Sequence, residues 1–363
     1  MQFEEAMVRL SEWAGDPLAG LMIGTLVGLT FGFCAQRSTF CLRSAAVEVA
    51  RGQLGRRLAI WLLAFATALF WVQIARVGGL FDPAASWMMQ ATASWSGAII
   101  GGLIFGFGMV LARGCSGRLV VLAGTGNLRS MVAGMVFAIT AQATIAGVLQ
   151  PVRLSIAGVW ASDGANHDLL SDVLSLPPIA GVVIGAVIAL LAILVALRAG
   201  TQMPKLVFAS GAGFAVAVGW LLTYNLSTVA FDPVQVNSVT FSGPSGVFLN
   251  HILSRAGSFS FELALVPATL VGSFIGGLVG RELRWESYSS AGQMVRSIAG
   301  GALMGFGGVL AAGCAIGAGL SGTSIFVATA WLTTLCFFIG SWAADLIFDR
   351  EAAQAGAPVQ VQR

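Results

Sequence analysis

Two stretches of this chain have nearly the same sequence, GGLIFGFGMVLARGC at residues 101–115 and GGALMGFGGVLAAGC at residues 300–314. They agree at 10 of 15 positions without a gap. Small residues recur every few positions in many apolar helices, but that spacing does not produce the shared Val-Leu-Ala-x-Gly-Cys ending. The chain is therefore predicted to contain an internal repeat whose copies end in Gly114-Cys115 and Gly313-Cys314.

Two weaker copies accompany this pair. Residues 28–33 match the glycine and phenylalanine pattern of residues 102–107, and the same register places Cys41 at the position of Cys115. The segment GAGFAVAVGW at 211–220 is a fourth candidate, with Trp220 near the cysteine position. We expect four related units, three of which carry a cysteine.

The composition places the chain in a membrane. Hydrophobic residues make up 57% and charged residues 10% of the 363 residues, against roughly 25% charged residues in ordinary domains. This composition excludes a soluble enzyme and a disordered protein. A formal net charge of +3 gives no support for nucleic-acid binding, and two His with five Cys are too few for a haem pair or a histidine-rich metal centre. We predict no cofactor and no metal.

Nine hydrophobic stretches approach the length of about 20 residues that a transmembrane helix needs. They cover residues 17–35, 55–77, 95–113, 130–151, 178–198, 206–224, 262–280, 295–312 and 324–348. The predicted fold class is an all-α integral membrane protein with about nine transmembrane helices. The Gly-Cys pairs interrupt apolar sequence, which predicts short re-entrant helices within the membrane in addition.

The basic residues orient these stretches. Alternate connections contain 15 of the 19 Lys and Arg residues, whereas the other set contains only Arg9, Arg76, Arg153 and Arg255. Because cytoplasmic loops are rich in Lys and Arg, the N-terminus is predicted outside and the C-terminus inside. The acidic N-terminal segment does not have the basic start of a cleavable signal peptide.

This topology makes the repeats run in opposite directions. The stretches before Cys41 and Cys115 run inward and the stretch before Cys314 runs outward, which predicts two inverted halves, as in transporters with a site near the bilayer midplane. The predicted division is an N-terminal periplasmic segment (1–16), a first membrane half (17–200), a second, inverted half (201–350) and a disordered cytoplasmic tail (351–363).

The residues around these breaks resemble a known family. Gln36 to Cys41, the two Gly-Cys units, and the pair of segments GWLLT at 219–223 and SVTFSGP at 238–244 are similar to signatures of the YeeE/YedE sulfur-transport family. The resemblance implies a bacterial inner-membrane protein that takes up thiosulfate or a related sulfur compound. It also implies an hourglass of nine helices with inverted repeats, and a TusA-like sulfur-carrier protein as a possible cytoplasmic partner.

The resemblance assigns Cys41, Cys115 and Cys314 to the translocation site, where thiols pass the substrate along by weak hydrogen bonds. We add four candidates near the breaks: Arg37, Arg113, Trp220 and Thr223. Each has a simpler explanation, since arginines follow the positive-inside rule and Trp is frequent at membrane interfaces. Cys34 and Cys336 lie outside the pattern and are expected to be packing residues.

Three function classes remain open. The first is a permease that is not an enzyme and that moves a small sulfur anion across the bilayer. The second is a membrane oxidoreductase that relays thiols or sulfur through disulfides or persulfides, although the chain has no C-x-x-C motif. The third, an intramembrane serine protease, is disfavoured because neither His167 nor His251 lies in a predicted span.

Overall fold

A computed structural model describes residues 2–254 and 259–350 and consists almost entirely of helices. The predicted tail 351–363 and Arg255 lie outside these residues. The helices are α1 (Gln2–Ala14), α2 (Asp16–Ser38), α3 (Leu42–Ala50), α4 (Arg56–Val77), α5 (Trp87–Gln90), α6 (Trp95–Leu111), α7 (Ser116–Gly124), α8 (Leu128–Ala146), α9 (Gln150–Gly158), α10 (Ile179–Arg198), α11 (Met203–Val229), α12 (Ser242–Ser254), α13 (Phe261–Gly280), α14 (Ala291–Leu310) and α15 (Ala328–Ala344).

Short elements complete the fold. Two strands, β1 (Thr92–Ser94) and β2 (Ala161–Ala165), pair antiparallel. A 3₁₀ turn covers Pro83–Ala85, and π-helical turns cover Leu169–Val173, Gly317–Gly322 and Asp345–Arg350. Of these, the turn Gly317–Gly322 lies closest to the second strong repeat, which ends at Cys314.

Eight helical segments of the described chain are long and apolar enough to cross a membrane. They are Asp16–Ala50, Arg56–Val77, Trp95–Gly124, Leu128–Ala146, Ile179–Arg198, Met203–Val229, Phe261–Gly280 and Ala328–Phe348. The predicted stretch 295–312 forms α14, which is 20 residues long but is not among the eight, and its first turns include Gln293 and Arg296. The all-α membrane class is confirmed, with eight qualifying spans among the described residues.

The two strong repeats lie on helices α6 and α14, which cross in close contact. Gly101 of α6 lies against Ala311 at the end of α14, whereas Gly108 lies against Gly300 at its middle. Contacting residue numbers therefore increase along α6 while they decrease along α14. The two copies of the repeat run antiparallel.

The crossing is also reciprocal. Gly101 contacts Ala311, and its repeat counterpart Gly300 contacts Ala112, the counterpart of Ala311. Such matched contacts are what a two-fold relation between two similar units produces. A Cβ atom at Gly101 would lie 2.7 Å from the Ala311 nitrogen and 2.7 Å from the Gly307 oxygen. Only glycine fits there without displacing the backbone of α14.

The weak copy of the repeat in α2 packs against a parallel helix, as the strong copy in α6 does. Helix α2 places Gly32 against Thr269 of α13, and α6 places Gly106 against Phe337 of α15. In both pairs the contacts advance together along the two helices, so each pair is parallel. The repeated glycines of the sequence therefore mark the close helix contacts of the fold, where van der Waals packing replaces the hydrophobic effect.

The glycine crossing gives a first prediction. Gly101→Ala introduces a Cβ at 2.7 Å from main-chain atoms and is expected to destabilise the protein by about 1–3 kcal/mol. Gly134→Ala in α8 is the matched control, because a Cβ there meets nothing closer than 4.0 Å. Thermal unfolding of the purified variants in detergent measures both. Equal unfolding midpoints for the two variants would show that the crossing tolerates a side chain.

Candidate translocation site

Three helices end in the same way just before a cysteine. A residue other than glycine takes a left-handed conformation two positions before each cysteine: Thr39 with φ 57°, Arg113 with φ 57° and Ala312 with φ 56°. This conformation costs a residue with a side chain roughly 1–2 kcal/mol. In each case it terminates the long helix and turns the chain back.

The hydrogen bonds of these three helix ends agree as well. The amide immediately before the cysteine donates to the carbonyl five residues earlier: Phe40 to Ala35 at 3.1 Å, Gly114 to Met109 at 3.1 Å and Gly313 to Gly308 at 2.9 Å. This is the Schellman arrangement of helix C-termini. The structure thus repeats one local device three times.

Each cysteine then begins the next helical segment. Its carbonyl accepts from the amide four residues later: Ala45 for Cys41 at 3.3 Å, Leu119 for Cys115 at 2.9 Å and Ala318 for Cys314 at 2.8 Å. The segments that begin there are α3, α7 and the turn Gly317–Gly322. The predicted short helices after the cysteines are therefore present in the described structure.

The fourth unit breaks at Phe241 and not at Trp220. Helix α11 continues through Trp220 for nine further residues to Val229, and an extended segment leads from there to α12. The carbonyl of Phe241 accepts from the amide of Ser245 at 3.2 Å, so Phe241 occupies the position that cysteines occupy elsewhere. Our placement of Trp220 near the cysteine position was wrong, because the glycine spacing of α11 continues into an unbroken helix.

Cys41 and Cys115 lie near each other. Both side chains are buried, and each thiol influences the other electrostatically, although no described hydrogen bond joins the two sulfur atoms. The guanidinium of Arg118 lies near enough to interact electrostatically with both sulfur atoms. The amides of Ser44 and Arg118 lie near these sulfurs, although neither is aligned as a helix-capping hydrogen bond.

Cys314 has a different set of neighbours. Its Sγ accepts from the amide of Phe241 at 3.3 Å and from the amide of Gly317 at 3.4 Å, and the hydroxyl of Thr240 lies at 3.9 Å. Two amides that donate to the sulfur occupy its acceptor positions. The S–H group of Cys314 is then available to donate to another group.

The two cysteine groups meet through small and aromatic residues. A Cβ atom built at Gly117 would lie 2.9 Å from Ile316 and 3.4 Å from the ring of Phe241. The Phe241 ring also packs against Phe31, with centroids 5.9 Å apart. The segments after Cys115 and Cys314 therefore share one contact region, which lies two residues along the chain from each of these cysteines.

Comparison with known proteins agrees with this architecture. The family model described as Sulphur transport matches residues 37–343. The chain belongs to this family. It is 26% identical to "Thiosulfate transporter TsuA" of Escherichia coli (strain K12), over 92% of this chain and 97% of that protein. It is 28% identical to the protein of the same name from Spirochaeta thermophila, over 90% of this chain and 98% of that protein.

The two predicted arginines lie away from the thiol pair in different ways. Arg37 forms an ion pair with Glu282 at 3.7 Å and stacks over the ring of Phe208 at 5.7 Å. Arg113 lines a small separate cavity together with Arg129 and other residues of α8 and α14. The structure brings neither side chain into the described contacts of the cysteines, and their roles in translocation stay predictions.

Trp220 and Thr223 donate hydrogen bonds to main-chain carbonyls near the break in the fourth repeat unit. The Trp220 indole donates to the carbonyl of Ser321 at 3.3 Å, inside the turn that follows Cys314. The Thr223 hydroxyl donates to the carbonyl of Asn237 at 2.7 Å and accepts from its amide at 3.2 Å. These bonds fix the extended segment that leads to Phe241. Direct contact of either residue with substrate stays a prediction.

The two cysteines outside the repeat pack against glycines of neighbouring helices. Cys34 lies against Gly211 of α11, and Cys336 lies against Gly102 of α6. All five cysteines are free and buried. Cys34 and Cys336 thus provide buried thiols with no described contact to the site, which makes them matched controls for substitution.

Three residues of this site were absent from the predicted set: Arg118, Thr240 and Phe241. Arg118 follows Cys115 by three residues, which places it one turn into the helix that the cysteine begins. That spacing was the available signal for Arg118. Phe241 lacks any sequence likeness to the cysteine units, so only the backbone reveals its equivalence.

The contact region is built from neutral groups and one positive charge. Among the described residues, no three His, Cys, Asp or Glu side chains are close enough together to bind a metal ion. The polar groups described above for the contact region are thiols, the Thr240 hydroxyl, backbone amides and the Arg118 guanidinium.

The left-handed helix ends give a second prediction. Ala312→Gly is expected to raise the unfolding free energy by about 1 kcal/mol, since glycine adopts φ 56° without steric cost. Ala299→Gly, an exposed position inside the same helix, should instead lower it by about 0.5–1 kcal/mol. Unfolding midpoints in detergent measure both changes. A loss of stability in Ala312→Gly would contradict the strain assigned to this helix end.

Proposed function

We propose that this protein is a membrane permease that takes up thiosulfate or a similar small sulfur anion. The observation that supports the proposal most is that three repeat units each place a buried thiol at the start of a short helical segment, and that the segments after Cys115 and Cys314 are in contact. The thiosulfate transporters to which the chain is similar over nine-tenths of its length support the substrate class.

The mechanism that we propose uses the thiols as weak donors. Neutral S–H groups donate hydrogen bonds that are weaker than those of a charged group, so an anion can be accepted and released at successive sites. Cys314 would donate at one side of the contact region, and Cys41 with Cys115 at the other. Short helical segments that begin at these cysteines add the positive ends of their backbone dipoles, which favour an anion.

Uptake of a dianion opposes an inside-negative potential at about 2.3 kcal/mol per charge per 100 mV. We therefore propose that uptake depends on consumption of the substrate inside the cell or on coupling to a cation. The proposed orientation, with the N-terminus outside and an inner-membrane location, rests on the distribution of Lys and Arg. A TusA-like carrier at the arginine-rich end is proposed from the family resemblance alone.

Uptake of labelled thiosulfate into proteoliposomes tests the site. Cys41→Ala, Cys115→Ala and Cys314→Ala are each expected to lower the initial rate at least about tenfold, the effect of losing one hydrogen bond of about 1.4 kcal/mol. Cys34→Ala and Cys336→Ala remove buried thiols of the same kind outside the site and should leave the rate within about twofold. Unchanged uptake in all three site variants would disprove the thiol mechanism.

The proximity of Cys41 and Cys115 favours one second candidate, a relay through disulfides or persulfides. Serine at each site position separates the two functions. A hydroxyl still donates a hydrogen bond but cannot form a sulfur–sulfur bond. Residual uptake in Cys41→Ser and Cys115→Ser supports the permease, whereas wild-type thiol turnover that both serine variants abolish, without thiosulfate uptake, supports the relay.

Charge near the thiol pair gives a further prediction. Arg118→Gln is expected to reduce thiosulfate uptake about tenfold, because Arg118 is close to the sulfur atoms of both Cys41 and Cys115. Arg56→Gln is the matched control: Arg56 begins α4 at the same arginine-rich end and donates to the carbonyl of Ala199 at 2.8 Å, away from the thiol pair. Initial rates at several thiosulfate concentrations measure both. Equal losses in the two variants would mean that only the overall charge of this end matters.

A further inference from the structure

A small cavity lies between the end of α6 and the first turns of α8 and α14, apart from the contacts of the three cysteines. Its polar lining residues are Arg113, Arg129 and Arg296 together with Gln293 and Ser297. None of the described residues that line it is acidic. The lining therefore presents three positive charges and two neutral polar groups to one small volume.

Two of these side chains are buried without a described partner. Arg129 is only 9% exposed, and its guanidinium makes no hydrogen bond or ion pair within residues 2–254 and 259–350. Ser297 is 3% exposed, and its hydroxyl has no hydrogen-bond partner in the same part of the chain. Burying such groups is unfavourable unless something compensates for their lost hydration.

The internal repeat shows that packing does not require these charges. In the register that relates Cys115 to Cys314, Arg113 corresponds to Ala312, and the pair Arg296 and Ser297 corresponds to the pair Gly97 and Ala98. The end of α14 lines a cavity of its own, which Ala312 helps to form, and its described lining carries no charged residue. The cavity at the end of α14 is thus lined by uncharged residues, whereas the cavity at the end of α6 is lined by three arginines.

Topology alone does not explain the difference. The positive-inside rule accounts for arginines in water-exposed connections, whereas Arg129 is nine-tenths buried in the second position of α8. Arg296 is also placed by a neighbour, since its guanidinium lies over the ring of Phe348 at 5.1 Å. The fold therefore restricts the side chains of Arg129 and Arg296 beside this cavity.

The chemistry of the lining selects an oxyanion with more than one acceptor oxygen. Guanidinium groups pair with phosphate oxygens in fixed, forked geometry, and the first turns of α8 and α14 add the positive ends of two helices. Met131 on α8 and Met294 with Val295 on α14 are exposed apolar residues close in sequence to the lining residues. Basic pockets between membrane helices with such surroundings suit lipid headgroups.

We propose that this cavity binds a phosphate group, supplied either by the headgroup of an anionic phospholipid or by free inorganic phosphate. The site is separate from the proposed translocation site and does not depend on thiosulfate transport. Its occupant would accept hydrogen bonds from the unpartnered guanidinium of Arg129 and the buried hydroxyl of Ser297, and would tie α6, α8 and α14 together at the arginine-rich end of the protein.

Thermal unfolding of the purified full chain in detergent tests the proposal. Three additions are compared: phosphatidylglycerol in mixed micelles, phosphatidylcholine as the neutral lipid, and inorganic phosphate against chloride at equal ionic strength. Phosphatidylglycerol or phosphate, but not phosphatidylcholine, is expected to raise the unfolding midpoint by roughly 5 °C at saturation. A rise with phosphatidylglycerol alone assigns the lipid source, and a rise with phosphate assigns the free anion.

Three variants locate the effect. Arg129→Gln should lose most of the increase, and Arg198→Gln, which changes an exposed arginine at the end of α10, should keep it. Ser297→Ala removes a buried hydroxyl that has no partner among the described residues, so the protein without additions should be at least as stable as wild type while its response to the ligand is reduced. This variant decides the question if Arg129→Gln does not fold.

Two results would overturn the proposal. One is the absence of any increase in the wild-type midpoint with either phosphatidylglycerol or phosphate. The other is an increase of the same size in wild type, Arg129→Gln and Ser297→Ala, which would place the anion elsewhere on the surface.

Discussion

The close antiparallel crossing of α6 and α14 is the contact on which the rest of the structure depends. Gly101 and Gly300 bring main-chain atoms of the two helices within a distance that no Cβ atom would allow. Lipid gives helices no hydrophobic reason to associate, so this backbone approach supplies the packing itself. Both helices end beside this crossing, and each ends just before a cysteine of the site, Cys115 or Cys314.

Helix ends at this depth create a second constraint, since unsatisfied backbone groups are costly in a membrane. The chain meets it with the same bonds each time: a Schellman end, a left-handed residue, and a cysteine whose carbonyl starts the next segment. At Cys314 the sulfur itself accepts two amides. The thiols thus lie where the fold must satisfy its interrupted backbone, and the polar groups of the site are a consequence of that requirement.

The membrane class, the long helices and the short segments after the cysteines could be predicted from the sequence, because glycine spacing and the repeated Gly-Cys ending act locally. The fourth unit could not. Phe241 resembles no cysteine unit, and the glycines of α11 resemble those of α6 although α11 continues unbroken past Trp220. A helix end is determined by the turn that follows it, and in this unit the extended segment before Phe241 contains no repeat signal.

The arginines show a similar limit: Arg113 and Arg118 lie almost symmetrically about Cys115, so distance along the chain does not distinguish them. The left-handed turn at Arg113 directs that residue to the cavity with Arg129, whereas Arg118 lies in the new helix beside the thiols.

Charge near the thiol pair is balanced by its neighbours. Arg118 donates to the Gln36 side-chain oxygen at 3.2 Å, and the Gln36 amide donates to Glu282 at 2.8 Å. Glu282 also pairs with Arg37. In the proposed permease an isolated guanidinium at this place would attract a dianion strongly and slow its departure. The polarised chain from Arg118 to the Glu282 carboxylate weakens that attraction, and so it favours release over retention at the arginine-rich end.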